Sequence, residues 1–407
     1  CPHSVRARRL EGGLKNLSHM RGIPTFKTSG LQSSWELSRA AIQWRWRLKA
    51  MLASTISRPH DHGLASVLAR RTDSPLVLGY HRVVERFGAT AHTEMPSMLV
   101  SSRMFERHLD CIGRQFTFVS LGEIAEHITG SRRFNKPVAA VTFDDGYRDV
   151  YEQAFPILKR KGIPAGVFVV TNLIGRPFWQ VHDKLYYLMT KAFAAWRDPR
   201  REMTDLFRAL HLPLAFITRN KVAAVSPMLA VTSILPELPL VEVRRLMDGL
   251  EATVGNGFHN VPQTLGWAEL AEMGRAGIEI GSHTKNHVSL PAEGAEVVAE
   301  ELAGSKRQLE RYLGKRVRHF AYPGGQFTPA VVEAVKRADY DFAYTACRHS
   351  DRSHPALTIE RLLLWQGSSV DADGRFSPAI LNCQVQDLWP PAWRCGRTHT
   401  EKEQPHG

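Results

Sequence analysis

The sequence predicts an α/β fold built around either a parallel sheet or a β/α barrel. Two observations favour it. Short apolar runs without alternation recur along the chain, as expected of strands covered on both faces. Stretches with helical spacing of apolar residues separate most of these runs. The strand-like runs lie at 75–84, 116–121, 137–143, 165–170, 278–282, 319–322, 342–345 and 358–364.

The helical stretches occupy the intervals that an α/β rhythm requires. The stretch at 104–115 places Phe105, Leu109 and Ile112 on one face. A second helix is expected between Gly146 and Gly162, since the glycine before a proline is a typical stop signal. Later helices are expected at 298–313 and 329–338.

The interval at about 173–262 breaks this rhythm. It carries amphipathic stretches at 184–212 and 241–254 but no strand-like run, so we interpret it as a helical insertion. We divide the rest of the chain into a basic, flexible leader at 1–74, a central domain at 75–366 and a loosely ordered tail at 367–407.

Charge is concentrated in the leader. The chain has 53 Lys plus Arg against 40 Asp plus Glu, a net charge of +13. Residues 1–75 hold 13 of the basic and 4 of the acidic residues, a net charge of +9, which leaves a net charge of +4 for the rest of the chain. Without a recognisable nucleic-acid motif, a basic leader does not predict a nucleic-acid partner. Hydrophobic residues at 43% exclude a wholly disordered chain.

The absence of a long apolar segment and of paired cysteines indicates the expected compartment of the protein. The chain has neither 18 consecutive apolar residues nor an uninterrupted signal core, so we expect no transmembrane segment and favour the cytoplasm. Its five cysteines are spread without a CxxC pair, which favours a reducing compartment over a disulfide framework or a zinc ribbon.

Two adjacent carboxylates, Asp144 and Asp145, follow the strand-like run at 137–143 in the segment TFDDGYRD. Charges at the end of a buried strand are costly unless something neutralises them. Gly146 permits a tight turn that would bring both side chains to one site. The alternative is that the two residues simply cap the following helix.

A histidine pair follows a second strand-like run. His283 and His287 are four residues apart in SHTKNH, a spacing that lets both imidazoles reach one metal ion, although such pairs also occur by chance among 18 histidines. Because both segments follow strands, we expect them on the same face of the barrel. Two histidines and one aspartate would form a three-ligand site and leave the second aspartate as a base.

A third segment, RHFAYPGGQ at 318–326, runs from a strand into Pro-Gly-Gly. A tight turn there would expose backbone N–H groups that could stabilise an oxyanion. A plain turn is the alternative.

The order TFDDG, SHTKNH and FAYPGG strongly resembles the polysaccharide deacetylases, the NodB-homology group also known as carbohydrate esterase family 4. The segments LGYHRV at 78–83, PILKRKGIPAGVFV at 156–169 and WAELAEMGRAGIEIGSH at 267–283 extend the resemblance over about 75–366, apart from the insertion. It implies a distorted (β/α) barrel, one divalent metal ion, commonly zinc, and an N-acetylated glycan substrate, such as a chitooligosaccharide, peptidoglycan or an exopolysaccharide.

The resemblance also implies roles for individual residues. Asp144 is the expected catalytic base, and Asp145, His283 and His287 are the expected metal ligands. The reaction is metal-assisted amide hydrolysis, with a backbone N–H near Gly324 meeting the charge on the tetrahedral oxygen.

The acid and the base-orienting arginine depart from the commoner family pattern. No histidine follows the late run at 358–366, so His81, in a YH motif like that of the exopolysaccharide-type branch, is the expected acid; a structural core histidine is the alternative. Ala321 stands where many relatives have an arginine. Arg361 is the expected substitute, with a surface salt-bridging arginine as the alternative.

Three aromatic residues, Trp267, Tyr147 and Tyr322, could line a sugar groove or pack in the core. The insertion could cover that groove or bind a partner. Two rival functions differ in class: a non-haem iron oxygenase, which would leave Asp144 without a role, and a catalytically impaired deacetylase-like protein that only binds glycan.

Overall fold

The computed structural model describes residues 74–90, 94–214, 225–255, 263–346 and 350–388. Nearly all of the predicted leader at 1–74 and the end of the predicted tail lie outside the described residues. No helix within the described ranges is both long enough and apolar enough to cross a lipid bilayer.

The described strands are mostly short and fully buried. They are β1 Leu76–Tyr80, β2 Arg82–Val84, β3 Leu99–Ser101, β4 Thr117–Phe118, β5 Val138–Phe143, β6 Ala165–Val169, β7 Glu279–Ser282, β8 His319–Ala321, β9 Phe342–Tyr344 and β10 Leu362–Leu363. Eight of them form one all-parallel sheet in the order β10-β1-β5-β6-β7-β8-β9, with β4 paired to β5 beside this path. Strands β2 and β3 form a separate parallel pair.

The large sheet closes on itself. Beyond β9, Tyr344 pairs in parallel with Ile359, which lies just before β10. One stretch of chain therefore joins the two edges, and the sheet becomes a distorted barrel whose strands all point the same way. The predicted fold class is confirmed.

Helices fill the connections between strands. They are α1 Phe87–Thr90, α2 Ser102–Gly113, α3 Leu121–Ile128, α4 Phe155–Lys161, α5 Val181–Ala195, α6 Pro199–Ala209, α7 Pro227–Ile234, α8 Leu240–Val254, α9 Trp267–Arg275, α10 Ala295–Leu313, α11 Pro329–Arg337 and α12 Pro378–Val385. The expected stop at Gly162 is a left-handed cap with φ 64°, which follows α4 directly.

Strand residues divide between two apolar layers because successive side chains point to opposite faces. One cluster fills the barrel and includes Val77, Ala140, Phe168 and Tyr344. The other lies between the strands and the outer helices. Ala140 belongs to the inner layer, so Thr142 and Asp144, at every second position after it, also face inward. Because β5 ends at Phe143, the side chain of Asp144 lies at the mouth of the barrel.

The insertion has an apolar core of its own. Helices α5 to α8 follow β6 and fall within the interval predicted at 173–262. Their buried side chains form a cluster distinct from the two barrel clusters and include Leu185, Phe207, Ile234 and Leu246. The packing of these helices is therefore set mainly by contacts among themselves.

Candidate metal centre

The loop after β5 brings both aspartates to the mouth of the barrel. Asp144 continues the β5 ladder through an N–H bond to Tyr80 O at 2.9 Å. Asp145 and Gly146 then adopt left-handed φ angles of 69° and 67°. A Cβ on Gly146 would approach Val169 Cγ1 to 2.8 Å, so glycine is required there. The backbone of Asp145, at a costly φ, is held in part by Gln180, whose Nε2 donates to the Asp145 backbone oxygen at 2.8 Å.

Asp145 lies among three imidazoles. Its Oδ1 is 3.2 Å from His287 Nε2 and 3.5 Å from His283 Nε2, and its Oδ2 is 3.7 Å from His182 Nε2. The residue is 1% exposed, and neither carboxylate oxygen has a hydrogen-bond partner among the described residues. Burial raises the pKa of Asp145, but the neighbouring His182 and His287 lower it by more. The pKa of this carboxyl therefore lies well below its usual range.

These distances fit a bound cation. Two donors held about 2.1 Å from one tetrahedral ion lie about 3.4 Å apart. A buried carboxylate with two unsatisfied oxygens, facing imidazole nitrogens at such distances, is the donor set that zinc prefers.

His283 and His287 are positioned by different hydrogen bonds. His283 Nδ1 lies 2.8 Å from Ala321 O, so it donates there and leaves the Nε2 lone pair directed at Asp145. Burial lowers the pKa of His283 to about 4, which keeps the imidazole neutral near pH 7. His287 has φ 56°, and its backbone N–H donates to Thr284 Oγ1 at 3.0 Å.

His182 is a site residue that the sequence analysis missed. It lies in the first turn of α5, in the insertion, and is 3% exposed. Donor atoms of Asp145, His182 and His287 all lie within 4.8 Å of one another. Two overlapping candidate triads thus share Asp145 and His287 and differ in the third imidazole. The triad with His182 meets this distance, whereas the triad with His283 rests on the separate distances of His283 and His287 to Asp145. No motif surrounds His182, so its sequence carries no signal that separates it from the other histidines.

His182 is less prepared for a metal ion than His283. The Tyr147 hydroxyl donates its one proton to Asp183 Oδ2 at 2.6 Å, so His182 Nε2, 2.7 Å from the same hydroxyl, donates to its oxygen. A ligating His182 would have to give up the Tyr147 contact. Burial lowers the pKa of His182 to about 3, so it is also neutral near pH 7.

Asp144 is held by Arg361. Two guanidinium nitrogens of Arg361 donate to the two carboxylate oxygens, each at 2.7 Å, and a third donates to Thr345 O at 2.6 Å. Arg361 is 1% exposed, so the alternative of a surface arginine is wrong. Burial raises the pKa of Asp144, but Arg361, with smaller contributions from His283 and His81, brings it below the usual range.

His81 also faces this centre. It lies between β1 and β2, its Nε2 is 4.0 Å from Asp144 Oδ2, and its side chain is 19% exposed. It is thus more accessible than Asp144, whose side chain is 3% exposed. This partial exposure is suited to contact with a substrate.

Gly324 has φ 60° within the Pro-Gly-Gly turn. The N–H groups of Gly325 and Gln326 bond back to Tyr322 O and Pro323 O, while the N–H of Gly324 is not used in the turn's own hydrogen bonds. Gly324 and His287 line the same cavity.

Two of the three predicted groove aromatics are fully buried. Tyr147 and Tyr322 are 0% exposed, and the Tyr322 hydroxyl donates to Leu357 O, so neither ring presents a face to a sugar. Trp267 stacks on Tyr312 with centroids 3.7 Å apart. The groove role is thus wrong for Tyr147 and Tyr322 and stays a prediction for Trp267.

Comparisons with known proteins show what this chain is similar to. A model of the polysaccharide deacetylase family matches residues 131–343. The Bacillus subtilis (strain 168) protein YxkH, named as a polysaccharide deacetylase, is 30% identical over 282 residues, which cover 69% of this chain and 71% of that protein. A poly-beta-1,6-N-acetyl-D-glucosamine N-deacetylase of Staphylococcus aureus (strain MSSA476) is 29% identical over 116 residues, which cover 26% of this chain and 40% of that enzyme.

A solved structure, the Streptococcus pyogenes deacetylase PplD in complex with acetate, aligns with 19% identity over 77% of this chain and 98% of that chain, with a TM-score of 0.48.

The barrel and the family match define the class of the protein: the chain belongs to the polysaccharide deacetylase family. Members of this family are hydrolases of N-acetyl amide bonds. The resemblance inferred from the three sequence motifs is confirmed.

Proposed function

We propose that the protein is a metal-dependent hydrolase that removes N-acetyl groups from the amino sugars of a polysaccharide or oligosaccharide. The observation that carries the proposal is the pair of neighbouring aspartates with opposite surroundings. Asp144 has both carboxylate oxygens bonded to Arg361, whereas Asp145 has both oxygens unsatisfied among imidazoles. The first arrangement suits a base and the second a metal ligand.

Asp145, His283 and His287 would hold the ion, with His182 as the alternative third imidazole. Zinc is the expected ion, because the donors are nitrogen and carboxylate oxygen. When bound, it would polarise the amide carbonyl and lower the pKa of the attacking water.

Asp144 accepts the proton of that water, and Arg361 keeps its carboxylate fixed and ionised. The N–H of Gly324 donates to the oxygen that gains charge as the tetrahedral centre forms. His81 then donates a proton to the departing amine nitrogen, the carbon–nitrogen bond breaks, and the products are acetate and a free amino sugar.

A polar cleft beside the centre could hold the glycan. It has a volume of about 550 Å³, and its lining includes Arg176, Trp179, Arg244 and Asn286, the neighbour of His287. Charged and aromatic side chains together suit sugar hydroxyls and pyranose faces. The similarity to the Staphylococcus aureus enzyme supports testing poly-beta-1,6-N-acetyl-D-glucosamine first.

The test is acetate release from that polymer, from chitooligosaccharides and from peptidoglycan, with and without chelator. We expect release from at least one substrate, loss with chelator and recovery on adding zinc. No release from any of them by protein that retains one metal ion per chain would contradict the proposal. The rival idea of an impaired glycan-binding protein loses support because Arg361 supplies the arginine missing at Ala321.

A further inference from the structure

A cavity of about 150 Å³ adjoins the candidate metal centre. His287 and Gly324 lie on its barrel side. Residues of α7, of α8 and of the turn between them form the opposite wall. The proposed metal ligand and the proposed oxyanion donor thus both border one space. A carbonyl bound between those two groups would therefore have that space beside it.

The cavity is lined mainly by apolar side chains, and the described residues that line it include no lysine, arginine, aspartate or glutamate. Its apolar side chains include Val181, Leu235, Leu238, Leu240, Val243 and Val288.

The hydroxyl groups in the lining are already used within the protein. Thr232 Oγ1 donates to Met228 O at 2.9 Å, and Ser289 Oγ donates to Pro236 O at 3.0 Å. A pyranose ring placed here would lose the hydration of its hydroxyls and regain few hydrogen bonds, which is unfavourable. The cavity therefore suits an apolar occupant rather than a sugar.

Its size exceeds what an acetyl group needs. An apolar cavity of about 150 Å³ is large enough for benzene, which has six carbon atoms. The acetyl group places one methyl carbon beyond its carbonyl. A hexanoyl group places five carbons beyond its carbonyl, four more than acetyl, and stays within that size.

The cavity and the polar cleft are neighbours that share Val181 and Leu240. A substrate could therefore place its sugar in the charged cleft and its acyl chain in the apolar cavity, with these two side chains between them. Leu235, Leu238 and Val243 belong to the insertion, so the barrel alone would not form this wall.

We propose that the insertion forms an acyl-binding pocket and that the enzyme accepts N-acyl amino sugars with acyl groups larger than acetyl, up to about six carbons. The proposal rests on the proposed amide hydrolysis. It adds a substrate class, short-chain N-acyl amino sugars, and assigns its selection to α7 and α8.

The first experiment measures kcat/KM of the zinc-loaded full chain for chitobiose carrying N-acetyl, N-butanoyl, N-hexanoyl or N-decanoyl groups, by release of free amine. We expect a gain of about fourfold per added methylene up to hexanoyl, because each buried methylene adds to binding, and a fall for decanoyl. A rate that is highest for acetyl and decreases with chain length would overturn the pocket while leaving the proposed hydrolase intact. Absence of turnover at every chain length would overturn both.

The second experiment alters the pocket. Leu235→Trp should lower the ratio of hexanoyl to acetyl kcat/KM at least tenfold, because the indole fills the cavity. Thr232→Phe, on α7, tests the same wall if the first variant does not fold. Val241→Trp is the matched control, since Val241 lies on α8 but is 63% exposed. An unchanged ratio in a folded filling variant would overturn the proposal.

A binding measurement separates the pocket from catalysis. Calorimetry with sodium acetate and sodium hexanoate on the zinc-loaded protein should show hexanoate binding at least tenfold more tightly. Equal affinities would contradict an acyl pocket even if amide hydrolysis is observed.

Discussion

The barrel and the insertion contribute to the same centre in different ways. The barrel supplies Asp144, Asp145, His283 and His287 at the carboxyl ends of β5 and β7, where parallel strands deliver side chains to one mouth. The insertion supplies His182 and the apolar wall from helices with a core of their own. Reactive groups thus depend on strand geometry, whereas the surroundings of the substrate depend on helix packing.

Buried polar contacts join the two regions. Gln180 Nε2, just before α5, donates to the backbone oxygen of Asp145 at 2.8 Å. Asp183 accepts from Tyr147 of the barrel loop, and Arg82 lies 4.5 Å from the Tyr147 ring. The insertion therefore also braces the loop that carries the aspartates. This coupling means that the contribution of each region has to be tested by separate variants.

The largest effect is expected from the metal ligands that we propose for the barrel. Asp145→Ala should abolish acetate release and leave much less than one metal ion per chain, because it removes the carboxylate common to both triads. Metal content by plasma mass spectrometry and acetate release would be measured together. Asp373→Ala, at a carboxylate that is 68% exposed, is the matched control. Full metal occupancy in the Asp145 variant would show that the centre lies elsewhere.

Asp144 should affect turnover without affecting metal. Asp144→Asn preserves size and removes the base, so acetate release should fall by about 10²–10⁴-fold while metal content stays unchanged. If the variant loses its metal as well, Asp144 would have to be counted among the ligands.

Arg361 should matter for both turnover and stability. Arg361→Ala leaves the buried Asp144 carboxylate unpaired, which should lower the free energy of unfolding by about 3–5 kcal/mol in urea titrations. Arg375→Ala, at an arginine whose side chain is 80% exposed, should change it by less than about 0.5 kcal/mol. Equal effects of the two substitutions would contradict a buried pair.

His182 sharpens the comparison between regions. We expect His182→Gln to raise the zinc dissociation constant about 10–100-fold, as loss of a supporting group beside a metal does, and His283→Ala to raise it more. Chelator competition would give both constants, and the visible spectrum of the cobalt form would show whether a ligand is lost. His211→Asn, at an exposed histidine of the insertion, is the control. A larger effect at His182 than at His283 would favour the triad that includes the insertion.

The smallest effect is the pH dependence of the stability of the barrel domain. Burial lowers the pKa of His108 to about 3 and of His319 to about 4. Both values lie below the unfolded value of about 6.5, so the unfolded chain binds protons that the folded chain excludes. Stability should therefore be complete above about pH 6.5 and decline as the pH falls from there toward 4, by about 1.4 kcal/mol per pH unit for each histidine.

Urea unfolding at pH 7.5 and 5.5 would measure this decline. His319→Gln should show a shallower decline than the wild type, because glutamine can still pair with the Tyr344 hydroxyl but cannot titrate. An identical decline in both proteins would remove His319 from this account.

Much of the fold and part of the centre could be predicted from the sequence. Apolar runs such as 137–143 identify strands because a parallel strand is covered on both faces. The candidate site residues Asp144 and Asp145 follow this run directly in the sequence, so they could be predicted together with the strand. Arg361 was predicted to meet Asp144 through the family resemblance, across 217 residues, and the structure brings them together. For Tyr147 and Tyr322 the sequence left groove lining and core packing both open, because a tyrosine beside a motif gives the same pattern whether its ring is buried or exposed; the structure buries both.

The sequence by itself determined the parallel α/β architecture and the identity of the two aspartates and two histidines, because strand ends and short motifs are local features. Only the tertiary structure decided that His182 joins Asp145, and that Leu235 and Val243 border the same cavity as His287 and Gly324. Those contacts depend on how the helices of the insertion pack against the barrel mouth. That packing is set by non-local side-chain complementarity, which leaves no local pattern in the chain.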